Sequence, residues 1–152
     1  MKIAGPDDKG EPMVISGKVY RANGRTPMPN VLIYAYHTDN KGYYSKKGNE
    51  KGFQKFHGYL HGWCKTDANG VYEIHSIRPA PYPSHTMPAH IHAAFKEPGG
   101  KPPYYINDFV FKDDELVTEK YIRSLNSPGG TGIVDIKKVN GVWSGQRDIV
   151  IE

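Results

Sequence analysis

The chain has 152 residues, enough for one domain that buries a core without disulfides or other staples. Lys and Arg outnumber Asp and Glu by 20 to 16, a formal charge of +4, and no basic run exceeds two residues. No nucleic-acid-binding motif accompanies that charge and no apolar run reaches the roughly eighteen residues of a membrane span, so neither nucleic acid nor membrane is an expected partner. No charged-then-apolar segment opens the sequence. A cytoplasmic location is therefore expected, or a periplasmic or secreted one if an export signal has been removed.

Seventeen Gly, twelve Pro and eleven Tyr favour strands and turns over helices. Residues 1–12, rich in Gly, Pro, Asp and Lys, read as a loose amino-terminal arm, and 13–152 as a single domain. Met13 to Tyr20 is the first predicted strand. Asn23-Gly24 marks a turn, and Val31 to Tyr36, apolar at nearly every position, is a central strand. From His37 to Gly62 the pattern dissolves into a polar, glycine-punctuated stretch, a length of loop that usually carries function. The segment from Trp63 to Asp67 leads into Asn69-Gly70 and a returning strand, Val71 to Ile77. Cys64, the single cysteine, reads as a small core residue.

Pro81 to Phe95 follows, with His90-Ile91-His92 at its heart. Alternate residues of a strand share a face, so these two imidazoles stand roughly 7 Å apart at the backbone and can converge on one metal ion. A lone His-x-His also suits a plain half-buried strand, so its company matters. Tyr104 to Phe111 is a further predicted strand, and Asp113 to Leu125 the one helix, with acidic residues at its start and Lys120 and Arg123 near its end. Ile133 to Val139 and Asp148 to Ile151 are expected to pair around Asn140-Gly141. The fold class is all-β: a sandwich of mostly antiparallel strands with long loops and one short helix.

Four segments occur in a telling order: Asp39-Asn40-Lys41-Gly42-Tyr43-Tyr44-Ser45, Thr66-Asp67-Ala68-Asn69-Gly70-Val71-Tyr72, Pro79-Ala80-Pro81-Tyr82-Pro83, and Pro88-Ala89-His90-Ile91-His92. Over residues 14–111 or so, the set resembles the intradiol ring-cleavage dioxygenases, the catechol and protocatechuate enzymes that use non-haem iron(III). The resemblance implies iron ligands Tyr44, Tyr82, His90 and His92. It further implies a small aromatic diol and O2 as substrates, cleavage between the two hydroxylated carbons, and assembly into homo-oligomers. Tyr82 would be catalytic, leaving the metal to help take a substrate proton, while Tyr44, His90 and His92 stay. The chemistry agrees: phenolate is a hard anionic oxygen donor suited to a hard trivalent cation, whereas zinc favours Cys, His and carboxylate.

Two departures stand out. Met87 occupies the place of the family's arginine before the His-x-His, with Arg78 and Arg123 as candidates to compensate. The family's glutamine is not evident, Pro103 standing near its place. Met87 also favours a rival reading, a non-enzymatic transthyretin-like sandwich that binds a ligand or protein and keeps a relict metal site. Tyr43, Met87, Tyr104 and Tyr105 are candidates to line a substrate pocket. A second rival takes His37 and Asp39 with a distant His as the facial triad of an iron(II) oxygenase, although Asp39 sits where a turn needs its side chain for the backbone.

Overall fold

Two β-sheets face one another in the computed structural model, which describes residues 1–151. The first sheet is built on β1 (Pro12–Tyr20), whose Met13, Ile15 and Val19 alternate into the core. The second is built on β2 (Leu32–His37), with β3 (His61–Lys65) on one side. β4 (Val71–Ile77) returns antiparallel to β1 in the first sheet. β5 (His90–Lys96) lies antiparallel on the other side of β2, and β6 (Tyr104–Tyr105) and β7 (Phe109–Phe111) both pair with it. β8 (Ile133–Val134) runs parallel to β7, whereas β9 (Ile136–Val139) and β10 (Val142–Gln146) form a hairpin whose second strand lies parallel to β1. β11 (Ile149–Val150) extends that parallel pairing to the far end of β1. The all-β sandwich read from the sequence is the fold observed. Among the described residues no helix is long and apolar enough to cross a membrane.

Inward residues of both sheets make the core. Ile33 and Ala35 of β2 and Ile91, Ala93 and Phe95 of β5 meet Ile15, Ile74 and Ile149 of the first sheet. The opposite parity of the second sheet puts Leu32, Tyr34 and Tyr36 beside Lys96, Ala94 and His92 on its outer face. That outer face is where the chemistry collects.

Several details differ from expectation, each for a local reason. The first residues do not hang free: Ile3 and Ala4 are buried, and the Ile3 N–H donates to the His75 carbonyl. The apolar pair outweighs the polar residues around it. The predicted strand 104–111 is broken at Ile106–Asp108, where the Asn107 amide turns to donate to the carbonyls of Ser127 and Gly130. The described residues hold two short helices rather than one. α1 (Gln54–His57) lies unforeseen inside the long loop, and α2 (Glu119–Ser124) spans only the second half of the helix expected over 113–125. The Asp114 carboxylate accepts from the N–H groups of Ala89 and Leu116, so the residues before Thr118 serve a turn, and Thr118 caps the helix instead. Around Asn140 and Gly141, both at positive φ, the hairpin partner of β9 is β10 rather than 148–151. Trp143-Ser144-Gly145 has too little apolar alternation to announce a strand.

Two buried polar groups tie the layers together. Arg147, 6% exposed, lies over the Phe109 ring and donates to the carbonyls of Asn107 and Gly129, which anchors β7 and the 127–130 loop to the end of β10. Burial lowers its pKa to about 10. His37, 1% exposed, donates from Nδ1 to the Thr38 carbonyl and accepts at Nε2 from the Ser76 hydroxyl across the sandwich. Both nitrogens are used, so the facial-triad reading of His37 has no free donor atom. Asp39 meanwhile accepts from the N–H groups of Lys41 and Tyr43, as its place in the turn demands.

Burial lowers the pKa of His37 to about 4, so the fold holds it neutral while the unfolded chain protonates it near pH 6.5. The unfolded state binds more protons in this window, and stability is lost as pH falls from about 6.5 through about 4. The size is about 3 kcal/mol. In urea titrations across that range, the His37→Gln variant should show a shallower pH slope than the parent chain. Equal slopes would refute the assignment.

Candidate metal centre

The site begins with Asp39. Its carboxylate gathers the N–H groups of Lys41 and Tyr43 and the Ser45 hydroxyl, closing the turn that presents Tyr44 over the outer face of β5. Gly42 makes the close approach between this turn and the next segment. Its φ is +86°, and a Cβ there would lie 2.1 Å from the Pro81 carbonyl oxygen. This contact brings the Tyr44 turn against Tyr82, which is held between Pro81 and Pro83. β5 supplies His90 and His92 from below.

The four side chains meet at their polar tips. The Tyr44 and Tyr82 hydroxyls are 2.6 Å apart, and the Nε2 atoms of His90 and His92 are 3.2 Å apart. Tyr82 Oη lies 3.0 Å from His90 Nε2 and 3.4 Å from His92 Nε2, and Tyr44 Oη lies 3.0 Å from His92 Nε2. Donors bonded to one ion at about 2.0–2.2 Å sit roughly 3 Å from one another, so these separations suit a shared cation.

Protonation makes the same point. His90 Nδ1 is 2.7 Å from the Pro88 carbonyl, an acceptor only, and His92 Nδ1 is 2.8 Å from an Asp108 carboxylate oxygen. Each Nδ1 must carry the proton, which leaves both Nε2 lone pairs aimed at the same space. Burial, then the neighbouring His92, lowers the pKa of His90 and keeps it neutral. Burial, then the Tyr82 hydroxyl, raises that of Tyr44, so its phenol ionises only with a strong positive charge nearby. Two facing lone pairs and a neutral phenol are the donor set of a cation site, and the residues fit a metal ion.

Around this centre, Tyr36 lies with its ring 4.7 Å from that of His92 and stacks on His57 of α1 at 3.7 Å and 4°. Met87 is 37% exposed on the loop before β5. Of the other expected pocket residues, exposed Tyr43 faces the Asp7–Asp8 side, and the Tyr104 hydroxyl donates to Glu97 away from the donors. Tyr105 lines a groove further along the sheet, as does Pro103. Arg78 is engaged by Asp113 and stacks on Trp143, and Arg123 pairs with Glu119 on α2.

A family model described as Dioxygenase matches residues 1–141. The chain belongs to the intradiol ring-cleavage dioxygenase family. It is 26% identical over 140 residues to catechol 1,2-dioxygenase of Acinetobacter baylyi, covering 73% of this chain and 43% of that protein. It is 32% identical over 77 residues to catechol 1,2-dioxygenase 1 of Acinetobacter lwoffii, covering 51% of this chain and 24% of that protein. The chain thus spans less than half the length of these curated relatives. Among solved structures, the dioxygenase domain of a dioxygenase–carbohydrate-binding protein fusion from Streptomyces sp. SirexAA-E has a TM-score of 0.76 at 21% identity, covering 99% of this chain and 86% of that one. The 3-chlorocatechol 1,2-dioxygenase of Rhodococcus opacus 1CP has a TM-score of 0.71 at 19% identity, covering 98% and 63%. These structures establish a shared fold.

A further residue of the centre is Asp108, which the sequence reading missed. It groups with His90 and His92, yet it meets His92 at the nitrogen turned away from the convergent point. Its role is to fix the tautomer and orientation of His92 and make Nε2 a better donor. The signal was in the sequence only as an Asp ahead of Phe109-Val110-Phe111, and nothing in that spacing identifies its partner.

Asp108→Leu should fold and lose about 10- to 100-fold in metal affinity, read by competition with a chelator. Gly42→Ala should disturb the centre from the other side, since the added methyl must displace Pro81 and with it Tyr82. Metal bound per chain at limiting metal should fall while circular dichroism keeps its strand signature. Unchanged metal binding in both variants would contradict these roles.

Proposed function

We propose that this chain holds iron(III) through Tyr44, Tyr82, His90 and His92 and cleaves a catechol-type diol between its two hydroxylated carbons, with O2 as co-substrate. The observation that carries the proposal is the convergence of two imidazole lone pairs and two phenols. The family is iron-dependent, and the curated relatives are catechol 1,2-dioxygenases. Hard phenol oxygens with two imidazoles suit iron(III), and the ionised phenols would offset two of its three charges. When bound, the ion supplies a Lewis acid that acidifies the diol and an electron conduit between diol and O2.

The chain's own residues orient and move protons. Tyr82 touches both Nε2 atoms and the Tyr44 hydroxyl, so its Oη is the atom best situated to accept a proton from an arriving diol. Asp108 keeps the His92 proton on Nδ1, so Nε2 remains a donor throughout. Tyr36 and His57 form a stacked wall that screens one side of the centre from water. At Met87 the chain offers an apolar thioether where the family's arginine is expected, so this position would give no cation to charge developing on the ring. Retention of all four donors, with Asp108 behind one of them, favours the enzyme over a binding module.

The first experiment is a visible spectrum of iron-loaded protein. A broad phenolate-to-iron band should appear, shift when catechol is added under nitrogen, and give way to oxygen uptake in air. Tyr44→Phe and His92→Ala should each lower iron affinity by at least about 100-fold and abolish turnover, with the fold intact. Retained turnover in both variants would sink the ligand assignment. A colourless iron-loaded protein would mean that the phenols do not bind the ion.

A further inference from the structure

The strand register arranges the outer face of the second sheet in three rows. His61, Tyr36 and His92 lie side by side at the candidate metal centre. One repeat along the strands, Trp63, Tyr34, Ala94 and Tyr105 form a row across β3, β2, β5 and β6. A further repeat on, Lys65 and Lys96 flank Leu32. The middle row is the floor of a groove of about 540 Å³, with His57 at its end nearer the centre.

Ala94 is the gap in that row. Tyr34 and Tyr105 stand two strands apart, roughly 9–10 Å, with only a methyl group between them. Contact on both faces of one ring takes about 7–8 Å, so a planar ring fits over Ala94. Tyr34 leans to the other side, its ring 4.3 Å from that of Trp63, and its hydroxyl is bonded to His57 Nδ1 at 2.8 Å. Trp63 and Tyr105 remain 57% and 48% exposed. Such a trough offers ring faces and few free hydrogen-bonding groups, which suits a flat aromatic guest.

Charge decides what the guest carries. Lys51 and Lys96 line the groove, and no carboxylate does. Lys51, Lys65 and Lys96 form no ion pair among the described residues. Residues 40–58, the loop that borders the groove, hold five of the chain's 20 basic residues and one of its 16 acidic ones, so fifteen of each balance elsewhere. The excess positive charge thus sits at this face, which attracts an anion and repels a second copy of itself.

The groove and the centre are separate. Tyr36 and His57, stacked at 3.7 Å, stand between them, and Tyr105 reaches the Tyr36 hydroxyl as well. None of the four proposed donors lines the groove. We propose that it is a second binding site, independent of the metal centre, for a planar aromatic acid. The ring lies over Ala94, and the carboxylate points away from the centre towards Lys51 and towards Lys96, one repeat or about 7 Å along β5. This inference needs neither metal nor turnover, so it does not rest on the diol-cleaving reading.

Trp143 lies under Arg78 in the other sheet, so Trp143→Phe leaves Trp63 as the sole tryptophan reporter. In that background, 2-naphthoate added to metal-free protein should quench Trp63 fluorescence saturably. The uncharged 2-naphthamide, of the same shape, should bind about tenfold more weakly, and Lys96→Glu should weaken 2-naphthoate by a similar factor. Ala94→Leu should fill the trough and lower affinity at least about tenfold, with the strand signature in circular dichroism intact. His92→Ala should leave the titration unchanged. Absence of saturable quenching, equal affinity for acid and amide, or a loss in His92→Ala as large as in Ala94→Leu would each overturn the site. A protein that elutes as a dimer, dissociates on Ala94→Leu and gives no response to 2-naphthoate would make the groove an interface between copies of this chain, and would overturn it equally.

Discussion

Two imidazole nitrogens 3.2 Å apart, each with its proton committed to the opposite side of its ring, cannot hydrogen-bond to one another. Their lone pairs need a proton donor or a cation in the space they share, and the Tyr82 and Tyr44 hydroxyls stand 3.0 Å from them. The Pro88 carbonyl holds one ring and Asp108 the other, while β5 fixes both backbones between β2 and β7. Two imidazole lone pairs and two phenols held at one focus are an arrangement that suits a cation.

The sandwich supplies the rigidity this needs. β5 is paired along its length, and its inward Ile91, Ala93 and Phe95 are fully buried, so the alternate outward positions have little freedom. The loops bring the phenols by a different device. Asp39 folds one loop on itself, and Gly42 lets it touch the next without a side chain between them. Rigid sheet below and interlocked turns above give four donors from three separate stretches of chain a common focus.

Local chemistry was readable from residues alone, and long-range placement was not. Val71–Ile77, the His90 strand and the Asp39 turn carry their instructions in neighbouring side chains, so periodicity and turn residues sufficed. The break after Tyr105 depends on Asn107 reaching Ser127 and Gly130, and the shortened helix on Asp114 turning to Ala89. Neither partner lies close in sequence. Asp108 escaped notice for the same reason: the preceding break frees it to face His92, and no motif records that. The four donors were found together only because the order of four segments resembles a family; His-x-His by itself leaves a plain strand equally open. Tyr36 and His57, which enclose the centre, had no spacing to mark them.

Arg147 gives the centre a dependence in time. It is the residue through which the end of β10 grips the Asn107 carbonyl, one position before Asp108. β10 and β11 in turn dock parallel to β1, at the other extreme of the sequence. Such pairings close large loops and form late in folding. All four phenol and imidazole donors lie before residue 93, yet the segment that carries the carboxylate behind His92 gains its last tie only once Arg147 is in place. On a ribosome, the nascent chain would display these four side chains well before it could hold them firmly, so tight capture of a cation by them would have to wait for residues 142–150.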